Sequence, residues 1–193
     1  MKRALAAVLL ALVAAACSGS TDSDPATQKS AGPIKVRFTN PTGADVFVSL
    51  TFGLGWSVSD GSTSYDRPHD CTSSCSEGCS CAVCGMPAPR VQRIPAGEAI
   101  EVTWGGEYYQ DKSCGTGQPG CHCDQELSAD FGSYQIALSG APGYTPGGIG
   151  GTSTDPNVLS GELDTSGGNC VASVTVALDA EAKTVDAPFA CSP

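Results

Sequence analysis

The hydrophobic pattern of this chain consists of short segments in which apolar and polar residues alternate. Residues 34–40 (IKVRFTN) alternate in the way that a half-buried β-strand does, and residues 44–52 (ADVFVSLTF) repeat the alternation. Between them, the Pro-Thr-Gly sequence of residues 41–43 has the chemistry of a turn. We therefore predict a β-hairpin that turns its large apolar residues to one face, with Phe38 opposite Val46.

Further along the chain, strand patterns alternate with segments that lack any period. Residues 98–104 (EAIEVTW) and 133–139 (SYQIALS) read as strands. Residues 53–90 are rich in Gly, Ser, Pro and Cys, which predicts a cross-linked excursion rather than regular structure. Residues 139–169 hold many glycines and little periodicity, which predicts a long loop. No helical period of useful length follows the first 16 residues.

The C-terminal segment gives the most detailed local prediction. Two alternating segments, residues 170–178 (CVASVTVAL) and 183–191 (KTVDAPFAC), flank a plausible four-residue hairpin loop at residues 179–182. Pairing the two segments along their whole length aligns the apolar residues and sets Cys170 opposite Cys191. We predict that a disulfide closes this hairpin.

These strands predict an all-β fold, an Ig-like β-sandwich with disulfide-rich loop insertions. The sequence of residues 94–98 (IPAGE), followed by Trp104 and by residues 132–134 (GSY), resembles Ig-like bacterial modules that include the BsuPI-type proteinase inhibitor family. The resemblance covers residues 34–52 and 91–138 and implies the sandwich fold. The export signal and the two cysteine-rich loops depart from that family, so no inhibitory residue is carried over.

The N-terminus has the order of a secretory signal peptide. A charged start (residues 1–3, MKR) precedes an apolar run over residues 4–16 that ends in small residues. The run is shorter than the roughly 20 residues that a membrane span needs. A cysteine at the cleavage point, Cys17, resembles the lipobox of bacterial lipoproteins, although Ala14 stands where that class most often has Leu. The resemblance implies acyl chains such as palmitate on Cys17; the alternative is an ordinary signal peptide cut nearby, with Cys17 left as a free thiol.

The chain therefore divides into three parts. Residues 1–16 are the predicted lipoprotein signal peptide, residues 17–33 the lipidated cysteine with a small, polar and flexible tether, and residues 34–193 the disulfide-rich β-sandwich domain. The lipoprotein resemblance implies a cell-envelope protein anchored in a membrane. In some bacteria an Asp after the cysteine retains lipoproteins at the inner membrane, so Ser18 implies the outer membrane, on its periplasmic or surface face.

The number of cysteines agrees with this interpretation. Of 11 cysteines, one is assigned to lipid, and an even set of ten in an oxidising compartment indicates up to five disulfides. The predicted disulfide cysteines are Cys71, Cys75, Cys79, Cys81, Cys84, Cys114, Cys121, Cys123, Cys170 and Cys191. Close neighbours in sequence strain a bridge to each other, so we expect links between residues 71–84 and 114–123. The connectivity within that set stays open.

A metal site is the alternative use of these cysteines. The residues that would provide thiolate and imidazole ligands for zinc or copper are Cys79, Cys81, Cys84, Cys121, His122 and Cys123. Their spacing matches no standard zinc ribbon, and the C-x-x-C sequence of residues 81–84 lacks the βαβ context of redox motifs. We therefore predict disulfides, with no metal and no cofactor.

Charge and motifs restrict the function further. Removing residues 1–16 takes away Lys2 and Arg3 and changes the net charge from −10 to −12, which excludes an electrostatic nucleic-acid partner. The sequence contains two histidines, no G-x-S-x-G and no H-E-x-x-H, so we predict a protein that is not an enzyme.

We predict a binding or structural module that acts through its cysteine-rich loops, with residues 53–90, 105–130 and 139–169 as contact surfaces. The expected partners are the membrane, through the lipid, and a protein or glycan at the envelope. Trp104, Tyr108 and Tyr109 are candidate binding residues. For Trp104 we favour a core position beside Ile100 and Val102, and for the two tyrosines the choice stays open.

Overall fold

The structure is a computed structural model that describes residues 30–68, 72–79, 81, 85–115, 120–147 and 153–192. These residues form β-strands and turns, and among them no helix is long and apolar enough to cross a membrane. The strands are β1 (Ile34–Thr39), β2 (Val46–Ser49), β3 (Trp56–Ser59), β4 (Ser64–Tyr65), β5 (Ser73–Ser74), β6 (Arg90–Ile94), β7 (Ala99–Trp104), β8 (Glu107–Ser113), β9 (His122–Ser128), β10 (Gly132–Ala141), β11 (Gly143–Pro146), β12 (Val158–Asp164), β13 (Asn169–Leu178) and β14 (Lys183–Ser192). The predicted all-β class is confirmed.

The strands form one large sheet and one small one. The large sheet runs β11-β12-β6-β2-β10-β13-β14-β1-β7, with β3 paired to β10 and β4 paired to β3. The small sheet has the order β5-β9-β8. Both are mixed sheets, because β1 runs parallel to β14 and β5 runs parallel to β9 while the other pairs are antiparallel.

The last strand, β14, joins two parts of the large sheet that we call its arms. One arm is β1 with β7, and the other is the run of strands from β11 to β13. Residues 183–188 of β14 pair with β1, and residues 189–192 pair with β13. Pro188, which has no backbone N–H to donate, stands where β14 changes partner. Side chains of both arms meet in one hydrophobic core, where Phe38 of β1 lies 6.4 Å from the ring of Phe189. The chain around Pro188 therefore brings β1 and β7 over the rest of the sheet.

The predicted hairpin of the first two strands is wrong. β1 lies between β14 and β7, with Phe38 beside Ile100. β2 pairs instead with β6 and β10, with Val46 opposite Ile94.

The alternation identified some buried side chains of both segments, such as Phe38 and Val46, which are fully buried. It was wrong for Phe47, which is buried at 8% exposure although it lies on the other face, and for Phe52, which is 53% exposed. The alternation could not identify the neighbours of the two strands, because a period of two fixes the face of a strand and not its partner.

A buried asparagine builds the corner between these two strands. Asn40 is 1% exposed. Its amide nitrogen donates to the backbone oxygens of Ala44 (2.7 Å) and Ile94 (2.8 Å), and its Oδ1 accepts from the Thr42 backbone N–H. A buried amide needs such partners. The Pro-Thr-Gly turn therefore turns the chain from one arm of the sheet to the other, and the hydrogen bonds of Asn40 fix it there.

The C-terminal hairpin is correct at its open end only. Cys170 lies opposite Cys191, and Ala172 lies opposite Phe189, as predicted. The predicted disulfide between the two cysteines is formed. Beyond Ala172 the full-length pairing is wrong, because β14 leaves to pair with β1 while β13 continues along β10.

Two segments predicted as irregular contain strands. β3, β4 and β5 lie within residues 53–90, and β11 and β12 lie within residues 139–169. Their glycine and serine content hides the period, yet β3 places Val58 in the core at 1% exposure. The order of the chain also begins before β1, because the Gly32 N–H donates to Asp179 O (2.8 Å) and Ala31 packs against the core. Residues 1–29, with Cys17 and most of the tether, lie outside the described residues.

Candidate functional site

The small sheet and the segment cross-linked to it form a unit that we call the cysteine module, residues 72–79, 81, 107–115 and 120–128. Strands β8 and β9 pair antiparallel from Glu107 opposite Ser128 to Ser113 opposite His122. Strand β5 adds to the other side of β9, in parallel. The module thus consists of one hairpin with a short third strand against it.

Three disulfides hold the segment of residues 72–81 to the hairpin. They are Cys75–Cys123, Cys79–Cys114 and Cys81–Cys121. Each joins one cysteine-rich loop to the other, as the sequence predicts. With Cys170–Cys191 they bring to four the disulfides among the described residues. Cys71 and Cys84 lie outside the described residues.

The cysteine module buries cysteines and an aspartate rather than large apolar side chains. The buried side chains on β9 and just before it are Cys121 (5% exposed), Cys123 (6%) and Asp124 (2%). The remaining described side chains of β8 and β9 are half-buried or exposed. A segment with so little apolar surface cannot hold a fixed shape by hydrophobic burial, so cross-links must restrict it.

One group of sulfurs is close enough to hold a metal ion. The Sγ atoms of Cys79, Cys114 and Cys123 lie within 4.8 Å of one another. All three belong to disulfides in this structure. A thiolate is the form of cysteine that binds metal, and a disulfide sulfur is not a thiolate. In this oxidised state the group packs as two neighbouring disulfides.

The ligand set that the sequence offered is divided differently. Cys79 and Cys123 belong to the sulfur group, whereas Cys81 and Cys121 bond to each other. The His122 ring is exposed, and its Nδ1 lies 2.9 Å from a carboxylate oxygen of Asp111. The predicted set therefore omitted Cys114, because sequence spacing did not show that the far end of β8 returns to Cys79.

Four aromatic rings connect the cysteine module to the core of the large sheet. Trp104 is 2% exposed and takes the core position. The distances between ring centroids are 5.0 Å for Trp104 and Tyr134, 5.4 Å for Tyr134 and Tyr65, and 5.1 Å for Tyr65 and Tyr108. All three contacts are edge-on, an arrangement that aromatic pairs favour. Tyr108 thus belongs to this aromatic junction, which joins β8 of the module to β4 and β10.

Hydrogen bonds hold the same junction. The indole N–H of Trp104 donates to Glu107 O (2.8 Å), and the backbone N–H of Tyr109 donates to Asp66 O (2.9 Å). The hydroxyl of Tyr109 donates to Glu126 (3.3 Å). Burial, followed by the nearby Glu126 carboxylate, raises the pKa of Tyr109 above its ordinary value, so its hydroxyl stays protonated and donating.

An acidic turn supports the Tyr65 ring. The hydroxyl of Tyr65 donates to Asp60 (2.9 Å), and this bond is the main cause that raises the pKa of Tyr65. Backbone N–H groups of Ser62 and Thr63 donate to the other oxygen of Asp60, both at 2.8 Å. These bonds hold the pKa of Asp60 well below its usual range, with the Ser62 N–H as the largest cause.

A cleft lies beside this junction, largely within residues 53–90, which the sequence marks as a contact surface without singling out the residues that line the cleft. It has a volume of about 410 Å³ and is lined by Phe52, Trp56, Ser57, Ser64, Tyr65, Asp66, Arg67 and Pro68. Phe52 is 53% exposed at its edge. The guanidinium of Arg67 lies 5.2 Å from the ring centroid of Trp56, within the range of a cation–π contact. The aromatic residues Phe52, Trp56 and Tyr65 were the available signal, and the low periodicity of residues 53–90 concealed it.

A second cleft lies where the cysteine module leaves the large sheet. It has a volume of about 520 Å³, and its lining includes Ser30, the backbone at Gly106, and the acidic residues Glu107, Glu126 and Asp130. Gly106 has φ +91° and its position lies against Leu178, so a side chain there would be strained. The end of the tether at Ser30 therefore lies beside the base of the module.

Comparison with known proteins gives no relative. No family model matches this chain, and neither a curated protein nor a solved structure matches it significantly.

Proposed function

We propose that this protein is a non-enzymatic, lipid-anchored protein of the cell envelope that acts as a binding module. The observation that carries the proposal is the position of the cleft lined by Phe52, Trp56 and Arg67. This cleft lies beside the cysteine module, which three disulfides cross-link. Binding residues concentrate on loops that a rigid scaffold positions. The cleft combines aromatic faces with Arg67 and Asp66, which suits a protein or glycan partner.

The proposal includes an Ig-like β-sandwich as the scaffold. Two features support it: the two arms of the sheet contribute to one core, and the first strand lies against the last. The disulfide of this scaffold, Cys170–Cys191, joins two neighbouring strands, whereas antibody domains carry theirs between sheets. The scaffold would hold the cleft, which Tyr65 lines, next to the cysteine module, which Tyr65 contacts through Tyr108.

The anchor is proposed from the sequence around Cys17. Acyl chains on Cys17 would hold the protein on the membrane, and Ser18 favours the outer membrane. From Cys17 to Ser30 the chain has thirteen steps, which reach at most about 45 Å when fully extended. A tether of this length permits the domain to stand clear of the bilayer.

The chemistry of the described side chains supports binding over catalysis. The one histidine among them, His122, lies in an exposed pair with Asp111 on β8. Hydrolysis by an activated nucleophile needs a base, a nucleophile and an oxyanion site in one place. The other histidine of the sequence, His69, lies outside the described residues.

The anchor is tested by the variants Cys17→Ser and Ser18→Ala in full-length protein. We expect Cys17→Ser to lose incorporation of an alkyne-labelled fatty acid and to leave the membrane fraction. Ser18→Ala, which changes the adjacent residue and keeps the thiol, should keep the label. Label on the Cys17→Ser protein would refute the lipid anchor.

The binding surface is tested by photocrosslinking in cells that produce the full-length protein. A benzophenone amino acid replaces either Phe52 at the cleft or Val171 on β13, since both side chains are similarly exposed, at 53% and 44%. We expect a defined cross-linked product from position 52 and none from position 171. No product from position 52, or equal products from both, would contradict the proposal.

A further inference from the structure

The sulfur group of the cysteine module consists of two disulfides that meet. Cys79 and Cys114 are bonded to each other, and the Sγ of Cys123 lies within 4.8 Å of both. Cys75 Sγ is bonded to Cys123 Sγ, so a fourth sulfur lies next to this group of three without belonging to it. Among the described residues, no sulfur of Cys81–Cys121 or Cys170–Cys191 belongs to this group.

We propose that reduction of these two disulfides creates a zinc site with four thiolate ligands, from Cys75, Cys79, Cys114 and Cys123. Four cysteines around zinc form a closed, structural site. With Zn–S bonds of about 2.3 Å, tetrahedral geometry puts the sulfurs about 3.8 Å apart. The two sulfurs of each reduced disulfide would separate from about 2.0 Å to about 3.8 Å, and Cys123 would approach Cys79 and Cys114 by at most about 1 Å.

The reaction balances with a dithiol as reductant. Each disulfide takes up two electrons and two protons, and each dithiol that supplies them becomes a disulfide. Zinc then displaces the protons of the four thiols, so its binding strengthens as pH rises. The site opens to solvent at Cys79, which is exposed, while Cys123 is buried, so reductant and metal approach from the Cys79 side.

Backbone hydrogen bonds that involve no sulfur keep the four ligands near one another. The Cys75 N–H donates to Asp124 O (3.0 Å), next to Cys123. The Cys114 N–H donates to Cys121 O (3.1 Å), which holds the end of β8 against the start of β9. These contacts bring together sulfurs from two segments of the chain, and metal binding would then replace the two cross-links that reduction removes.

This inference is independent of the lipid anchor and of the cleft. It differs from the ligand set that spacing offered, because it uses Cys75 and Cys114 and omits Cys81, Cys121 and His122. It assigns the cysteine module two states, one cross-linked by disulfides and one held by zinc.

The test uses purified full-length protein reduced with a phosphine, with Zn²⁺ measured by competition against a chromogenic chelator and Co²⁺ as a spectroscopic probe. We expect one Zn²⁺ per reduced molecule, none on the oxidised protein, and a thiolate-to-cobalt charge-transfer band. The variant C75S/C123S should weaken Zn²⁺ binding by at least tenfold, and C79S/C114S should do the same. Equal binding by these variants, or cobalt without the charge-transfer band, would overturn the proposal.

Matched controls separate the site from a general loss of structure. The variant C81S/C121S removes one disulfide from the same module and spares the four ligands, so its reduced form should bind Zn²⁺ as the unaltered protein does. C170S/C191S should do likewise, and so should C71S/C84S, which removes two of the three cysteines outside the described residues. Loss of binding in C81S/C121S to the same degree as in C75S/C123S would contradict the assignment.

Discussion

The large sheet and the cysteine module achieve order by different physical means. The core of the large sheet contains fully buried aliphatic and aromatic side chains from both arms, such as Phe38 and Ile136. The cysteine module buries Cys121, Cys123 and Asp124 and leaves most other side chains of β8 and β9 partly or fully exposed. Hydrophobic burial therefore stabilises the first region, and loss of chain entropy through cross-links stabilises the second.

This difference matters for function because the residues on the surface of the module are not needed to form a hydrophobic core. A segment that does not depend on apolar residues for its shape can carry polar and charged side chains on nearly all its positions. The module does so, with Glu77, Glu107, Asp111 and Glu126 against the single lysine Lys112. The aromatic junction attaches this surface to the core, because Tyr108 of β8 packs against Tyr65 of β4.

Among the variants that test this contrast, we expect the largest loss of stability from a substitution in the core of the large sheet. Phe38→Ala should lower the free energy of unfolding by about 3–5 kcal/mol, because a fully buried ring leaves a cavity. Phe52→Ala removes the same side chain at 53% exposure and should change that energy by less than about 0.5 kcal/mol. Urea unfolding followed by tryptophan fluorescence measures both. Similar costs for the two variants would show that the core does not carry the stability.

The next effect concerns a single cross-link of the module. C75S/C123S should destabilise the module by about 2–4 kcal/mol and leave the large sheet folded. Limited proteolysis with mass spectrometry should then find new cleavage within residues 107–128 and no increase within residues 132–178. Cleavage that rises equally in both ranges would show that the two regions unfold together.

A smaller effect is expected at the aromatic junction. Tyr65→Ala removes edge-on contacts to Tyr108 and Tyr134, worth about 1–3 kcal/mol together. Tyr65→Phe keeps the ring and loses only the bond to Asp60, so it should cost less than half as much. Amide exchange at Tyr109, which donates to Asp66 O, reports on the junction. Equal acceleration by the two variants would mean that the hydroxyl, and not the ring, makes the connection.

The smallest effect is a pH dependence at the turn that supports Tyr65. The pKa of Asp60 is lowered in the folded protein, with the Ser62 N–H as the largest cause. Its contribution is therefore fully present above the ordinary carboxyl pKa of about 3.9 and is lost as pH falls below that value. Asp60→Asn keeps an oxygen acceptor that does not titrate. The stability difference between the two proteins should shrink from pH 6 to pH 2, and a constant difference would refute this role.

Much of the core could be predicted from sequence because alternation determines which side chains are buried. Ile34, Val36, Trp104 and Ile136 are all buried as their patterns predict. The partner of each strand could not be predicted in the same way. The β1–β2 hairpin is wrong because Asn40 turns the chain between arms, an effect that depends on the distant Ile94 oxygen and that no local pattern contains.

The candidate site was predictable only in its cross-links. An even count and an export signal predicted disulfides between the two cysteine-rich loops, and three are formed. The residues that line the cleft were not singled out, because Trp56 and Tyr65 come together through the pairing of β3 with β4, within a segment whose composition is typical of loops. Tyr108 was expected as a contact residue, and the structure places it in the junction, because its neighbour Tyr65 is distant in sequence.

Amide hydrogen exchange of the oxidised and the phosphine-reduced protein, both free of metal, tests the contrast between the two regions most directly. We expect reduction to accelerate exchange in β8 and β9 while β10 and β13, paired along nine residue positions, keep their protection. Unchanged protection of β8 and β9 after reduction, or its loss in both regions at once, would contradict the conclusion that cross-links order the cysteine module and hydrophobic burial orders the sheet.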